Sequence, residues 1–268
     1  MPKISVIIQA RTGSTRLPQK IFKKIDNKII LQYVIDQASH SKLIDEIIIA
    51  TTRLKEDDSI IQFCKKNNIK WFRGSKSDLL DRYYKCAKKF SCEIIVRITS
   101  DCPLIDPIVI DTAINKFLHN SYDYVSNNVD VINDKWENST CNYPQGMTVE
   151  VTDIHTITKA WKNAKKPSER EHVFPYVQFN PKKFCIKNIK NKTKLDMIRC
   201  TIDRNQDLVF LRKLVKLLPK RRPIHISDIV KIVNKKPELL KINSYIQFDE
   251  GYLISLQKDS MNQNATNE

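Results

Sequence analysis

The chain has 268 residues, enough for one large α/β domain or two small ones, and a formal charge of +16. That charge favours an anionic partner, whether nucleic acid, acidic lipid or phosphorylated metabolites. No apolar stretch approaches the ~18 residues of a membrane span, and seven cysteines with no CxxC spacing and no signal peptide predict reduced thiols in a cytoplasmic protein.

The first element is Ile4 to Ile8, an apolar run that predicts a buried strand. It breaks into a loop carrying Arg11, Thr12, Gly13, Ser14, Thr15 and Arg16 and ends at Pro18 and Lys20. Cations, hydroxyls and one glycine at the end of a buried strand suit an anion such as polyphosphate, and they suit a basic loop that touches only water equally well. Helical spacing of Ile30, Leu31, Val34, Ile35 and Ala38 follows. Glu46 to Thr51 predicts a second strand, Ile60, Ile61 and Cys64 a helix, and Ile69 to Phe72 a short third strand ending at Arg73. A helix from about Ser77 carries Leu80, Tyr83, Tyr84 and Ala87 on one face. Glu93 to Ile98 is the fourth strand and runs into Asp101-Cys102-Pro103. Asp106-Pro107 then opens a helix as N-cap and first-turn proline.

This βαβα series predicts a mostly parallel sheet flanked by helices. Ligands on such sheets lie beyond the carboxyl ends of the strands, where Arg11 to Lys20, Arg73 and Asp101 fall. Beyond Tyr122 to Ser126, itself a possible strand, residues 127–145 are polar and aperiodic and read as an excursion. Gly146 to Val151 predicts a strand holding Glu150, and Ile154, Ile157, Ala160 and Trp161 a helix. Ser168 with Glu171 predicts a capping box, Phe184 to Ile189 and Met197 to Ile202 two strands, and Leu208 to Leu218 and Ile226 to Val233 two helices. One domain over residues 1–256 and a fraying polar tail over 257–268 complete the prediction.

The chain lacks GxxxxGK[ST], GxGxxG and HExxH, which disfavours Walker-type, dinucleotide and zincin chemistry. Asp101 and Asp203 each follow a predicted strand, and together they could share one Mg²⁺; a turn residue and an N-cap are the structural alternatives. His172 lies in the charged run Glu169-Arg170-Glu171, either on a solvated helix face or at a substrate. Cys102 has no nearby histidine and reads as a small buried residue.

The blocks IIQARTGSTRLPQK, DEIIIATT, EDDSI, FRGSKSDLLDRYY, VRITSDCPLIDP, DYVSN, YPQGMTVEV, SEREHVFPY and RCTIDRNQDL keep their order from residue 4 to about 218. This pattern resembles cytidylyltransferases of the spore coat polysaccharide biosynthesis protein F type. These are related to the 3-deoxy-manno-octulosonate and acylneuraminate enzymes. The resemblance implies a glycosyltransferase-A-like nucleotidyltransferase fold and transfer of CMP from CTP to an acceptor, with pyrophosphate leaving. It implies that Arg11, Ser14, Arg16 and Lys20 hold the triphosphate, with Ala10 and Arg73 near base and ribose. Arg11, Lys20 and Asp101 would carry the chemistry, Asp101 and Asp203 the Mg²⁺, and Glu150, Arg170, His172 and Arg204 the acceptor. By analogy with those relatives a homodimer is expected. The chain departs from the family pattern at Gln19 (usually Gly), Thr148 (commonly Asp) and Arg204. Thr148 and Arg204 favour an anionic acceptor: a sugar acid, phosphate or phosphonate. A non-catalytic polyanion or nucleic-acid binder on the same scaffold is the alternative, though the charge is dispersed over lysine pairs and the aromatics fall at core spacing.

Overall fold

The structure is a computed structural model that describes residues 2–127, 130–132, 135–137, 142–247 and 250–265, with side chains for 2–127, 142–247 and 250–261. In chain order the elements are β1 (Ile4–Gln9), β2 (Lys24–Ile25), β3 (Lys28–Ile29), α1 (Ile30–Ala38), β4 (Glu46–Thr52), α2 (Asp58–Lys66), β5 (Lys70–Gly74), α3 (Leu79–Lys89), β6 (Ile94–Thr99) and α4 (Pro107–Leu118). There follow β7 (Tyr124–Ser126), β8 (Asp130–Ile132), β9 (Lys135–Glu137), β10 (Glu150–Asp153), α5 (Ile154–Asn163), α6 (Pro167–His172), α7 (Pro175–Gln178), β11 (Ile186–Asn188), α8 (Asn205–Leu217), α9 (Ile226–Lys235) and α10 (Glu250–Ala265).

Seven strands form one sheet in the order β11-β7-β10-β6-β1-β4-β5. Only β10 runs against its neighbours. Alternation along each strand splits the core into two layers. Val6, Ile8, Ile49, Val96 and Ile98 pack with α1, α4, α8 and α9, while Ile7, Ile48 and Ile95 pack with α3, α5 and α7. Because helices cover both faces, strands β1, β4 and β6 are apolar almost throughout, which is why their runs are legible as buried strands. The same alternation places Gln9, Arg97 and Glu150 side by side on the α3 face, a polar cluster in an otherwise apolar layer.

Several expected elements differ. The strand expected from Gly146 begins only at Glu150. Gly146 has φ +87°, and a Cβ there would lie 2.5 Å from the Thr201 nitrogen, so the chain passes too close for any side chain. Met197 to Ile202 is not a strand. Ile198, Cys200 and Ile202 are buried, but the segment has one isolated bridge, Gln145 to Arg199, and a bond from the Ile202 nitrogen to the Asp101 carbonyl. Ser168 does not cap α6. Glu169 accepts from the backbone nitrogens of Lys165 and Lys166, while Ser168 binds Asp259.

Residues 257–265 of the stretch expected to fray belong to α10, where Tyr252, Ser255 and Asp259 are buried against the domain; residues 266–268 lie outside the described residues. Of the excursion, β8 and β9 pair antiparallel, and Asn128, Asn133 and Asn138 lie outside the described residues. No helix among the described residues is long and apolar enough to cross a membrane. None of the six described cysteines is in a disulfide.

Candidate active site

The carboxyl ends of β1 and β6 open onto two cavities, of about 640 Å³ and about 240 Å³. The larger is walled by the opening loop, including Ala10, Arg11, Ser14, Arg16 and Lys20. The smaller holds Thr148, Glu150 and His172, with Gln145 and Arg199. Arg16, Arg97, Thr99, Asp101, His172 and Asp203 line both, so the cavities meet at the two aspartates.

The loop takes its shape from one residue 45 positions away. Asp57 is fully buried and accepts from the Thr12 nitrogen at 2.7 Å and the Thr12 hydroxyl at 2.8 Å, and also from Thr52. The Thr12 carbonyl in turn accepts from Ser14 at 2.8 Å and Gln19 at 3.0 Å. The chain therefore curls around Thr12 and leaves Arg11 facing the cavity with no hydrogen bond or ion pair among the described residues. Gln19 sits at φ +52°, in the left-handed region. This accounts for a glycine-favouring position holding glutamine: it is occupied at a cost of about 1 kcal/mol. Gln19→Gly is expected to leave the fold intact and raise its stability by at most about 1 kcal/mol, since the glycine's freer unfolded chain offsets part of the gain. A urea titration checks this, and a destabilised variant contradicts it.

At the junction, the Lys20 ammonium donates to Asp101 Oδ2 at 2.7 Å, the Ile202 carbonyl at 2.8 Å and Asp203 Oδ1 at 3.1 Å. Burial pushes Lys20 down, but Asp101 and Asp203 outweigh it, and its pKa lies above the ordinary lysine value. Burial pushes Asp101 up, yet the Lys20 charge and bonds from Lys20 and Thr99 prevail and hold it at about 2. Arg16 donates to Asp203 Oδ1 at 2.9 Å and to Glu250 Oε2 at 3.1 Å.

Asp203 is held from behind. The fully buried Asp207 accepts from the nitrogens of Asp203 and Arg204, both at 2.9 Å, from Arg199 Nε at 2.9 Å and from Asn243 at 3.0 Å. Asp207 thus caps α8 and fixes the turn that presents Asp203. Asp203 is therefore not the N-cap of that helix.

On the other side, Arg97 donates to Gln9 Oε1 at 2.9 Å and pairs with Glu150, which also accepts from the Tyr124 hydroxyl at 2.6 Å. Burial pushes Cys102 well up, so it is an inert thiol, as its sequence context predicts. Burial pushes the His172 imidazole down to about 4. The Glu171 and Asp259 carboxylates oppose that fall, the Arg97 guanidinium adds to it, and Ser255 and Tyr252 pack against the ring.

An unfolded histidine binds its proton near pH 6.5, so stability linked to His172 is complete above that pH and falls as pH drops from 6.5 towards 4. His172→Gln should flatten this slope. Urea midpoints at pH 7.5 and 5 in both proteins test it, and equal slopes would refute the assignment.

Three expected site residues are elsewhere. Arg73 is turned to the carbonyls of Thr52 and Leu54 and to Asp58, and lines neither cavity. The cation on that wall is Arg82, 3% exposed, which donates to the carbonyls of Ser75 and Lys76. Arg170 is bound to Asp78 and to the Trp161 carbonyl. Arg204 is half-exposed and pairs with Glu250 at 2.7 Å, so its charge serves α10 rather than lining a cavity. Reading the sequence alone misses Gln9, Arg97, Asp57 and Asp207. Only the polar residues inside apolar strands, Gln9 and Arg97, leave a signal there.

Residues 5–248 match the family model described as Cytidylyltransferase. The spore coat polysaccharide biosynthesis protein SpsF of Bacillus subtilis is 26% identical over 89% of this chain and 97% of its own length. A 3-deoxy-manno-octulosonate cytidylyltransferase of Solibacter usitatus is 38% identical over 120 residues, which are 44% of this chain and 46% of that protein. A solved cytidylyltransferase from Leptospira borgpetersenii superposes with a TM-score of 0.82 at 30% identity, over 92% of this chain and all of that one.

Proposed function

This chain belongs to the cytidylyltransferase family, and from that premise we propose that it transfers CMP from CTP to an anionic acceptor, an acidic sugar above all, with release of pyrophosphate. The observation that carries the reading is the junction itself. Two carboxylates, Asp101 and Asp203, and two cations, Lys20 and Arg16, meet where a larger and a smaller cavity join. The larger cavity, with Arg11 unpaired among the described residues and Arg16 and Lys20 beside it, suits a triphosphate. The smaller, with Thr148 where relatives commonly carry a carboxylate, suits the acceptor. Arg97 and His172 sit between the two and would contact both. The kinship with an octulosonate enzyme supports the acidic sugar.

The donor set fits Mg²⁺. Asp101 Oδ2, Asp203 Oδ1 and the Ile202 carbonyl converge on one cationic point, and hard oxygens of this kind suit the ion. Among the described residues no cluster of three or more His, Cys, Asp or Glu side chains forms, so phosphate and water oxygens would complete the shell. When bound, the ion would offset triphosphate charge at the reacting centre. The residues themselves would do the rest. Arg11, Arg16 and Lys20 orient the phosphates and stabilise their oxygens. The smaller cavity aligns the acceptor oxygen in line with the breaking bond. The acceptor oxygen bonds to the α-phosphorus, and the bridging oxygen leaves with pyrophosphate.

Pyrophosphate release with CTP, UTP, ATP and GTP against panels of acidic and neutral sugars tests the reading. Release with CTP and an acidic sugar is expected. Turnover with neutral sugars but not acidic ones would overturn the acceptor class, and stabilisation by a short nucleic acid but by no nucleotide would overturn the enzyme reading.

A further inference from the structure

Helix α10 begins at Glu250, two residues beyond the 5–248 matched by the family model, yet it walls the site. Gly251, Ile254, Ser255 and Lys258 line the larger cavity, and Glu250 and Tyr252 the smaller. The helix is anchored at three levels. Glu250 pairs with Arg16 and Arg204, the Ser255 hydroxyl donates to Glu171, and Asp259 accepts from the Ser168 nitrogen at 3.0 Å. Arg204, a departure from the family pattern, thus has a partner that the family-matched segment does not supply.

Arg16 bears on the triphosphate in the function proposed above, and Glu250 holds one edge of its guanidinium. We propose that Glu250 is a positioning residue that sets nucleotide affinity. It is an internal anion on Arg16 that a triphosphate must displace, and Arg204 draws it away from Arg16. Nucleotide affinity and the seating of α10 are then linked, each weakening the other by the same factor. This inference rests on the CTP reading and deepens it.

The two variants give opposite expectations. In Glu250→Gln, one edge of the Arg16 guanidinium is released to the phosphates while Asp203 keeps the other, and the Kd for CTP should fall by about twofold to fivefold, the scale of one exposed ion pair. In Arg204→Gln, Glu250 leans wholly on Arg16, and the Kd should rise by a similar factor. In the double variant Arg204→Gln should have little further effect, which separates relief of competition from simple loss of a nearby positive charge. Isothermal titration with CTP and Mg²⁺ reads all four proteins, and the change in KM for CTP should exceed that in kcat. Weaker or unchanged binding in Glu250→Gln overturns the inference, as does an equal effect of Arg204→Gln in both backgrounds. Absence of CTP binding to the parent protein would instead fail the functional reading, so the two failures are distinct.

Discussion

Replacing Lys20 by methionine is expected to lower kcat/KM for CTP by about 10²- to 10³-fold, the scale on which one preorganised charge at a reacting centre acts. The Lys20 side chain is only 13% exposed and its ammonium bonds both aspartates and the Ile202 carbonyl; among the described residues no other cation bonds all three of these oxygens. Methionine keeps the length of the side chain and removes the charge. Asp101 and Asp203 then face each other with Arg16 and Arg199 still on Asp203 but, among the described residues, only Thr99, the Cys102 thiol and its own backbone on Asp101. The Asp101 carboxyl should be released upward from about 2. Divalent cation should also raise the melting temperature of the variant more than that of the parent, because it no longer competes with the ammonium for the same two oxygens. Steady-state kinetics and a Mg²⁺ thermal-shift series measure both effects. Activity within threefold of the parent would remove Lys20 from the site.

Asp207→Ala should cost about 3–5 kcal/mol of stability, because it leaves the guanidinium of Arg199 buried with one carboxylate fewer. It also strips acceptors from the Asp203 and Arg204 nitrogens and from Asn243, so the turn before α8 loses its cap and its tie to the segment that precedes α10. The protein that remains folded should bind CTP weakly, since Asp203 is no longer held toward Lys20. Asp207→Asn keeps one acceptor oxygen and should fall between the two. Urea denaturation gives the stability, and titration at low temperature gives the affinity. A loss under 1 kcal/mol would show that Arg199 and Asp203 are fixed by other contacts.

The legible parts of this molecule are the local ones. β1, β4 and β6 are covered on both faces and so carry nearly continuous apolar runs, and Arg16, Lys20 and Asp101 stand beyond their ends. Met197 to Ile202 misleads because the alternating Ile198, Cys200 and Ile202 are buried by packing and held by one isolated bridge and scattered backbone bonds, not by a strand ladder. Arg73 misleads because the block that contains it ends a strand at the ligand edge, while backbone carbonyls turn its side chain away. Asp57 looks like an ordinary N-cap of α2 and Asp207 like an ordinary first-turn acid of α8, and only tertiary contacts reveal that each fixes a piece of the site. Helix α10 is hidden by its polarity: it seats on the domain through Ser255 and Asp259 rather than through an apolar stripe.

The seven strands of the sheet are complete by Asn188, yet Lys20 meets Asp203 across 183 positions and Arg16 meets Glu250 across 234. A growing chain can therefore pair all seven strands of the sheet while the anion loop still lacks its opposite wall and the layer beneath α1 and α4 still lacks α8 and α9. The turn that answers Lys20 is made after the sheet, and α10, which closes the far side, later still. A chain stopped after β11 would hold every strand of this sheet and only half of the candidate site, so the order of synthesis separates the making of the scaffold from the making of the site.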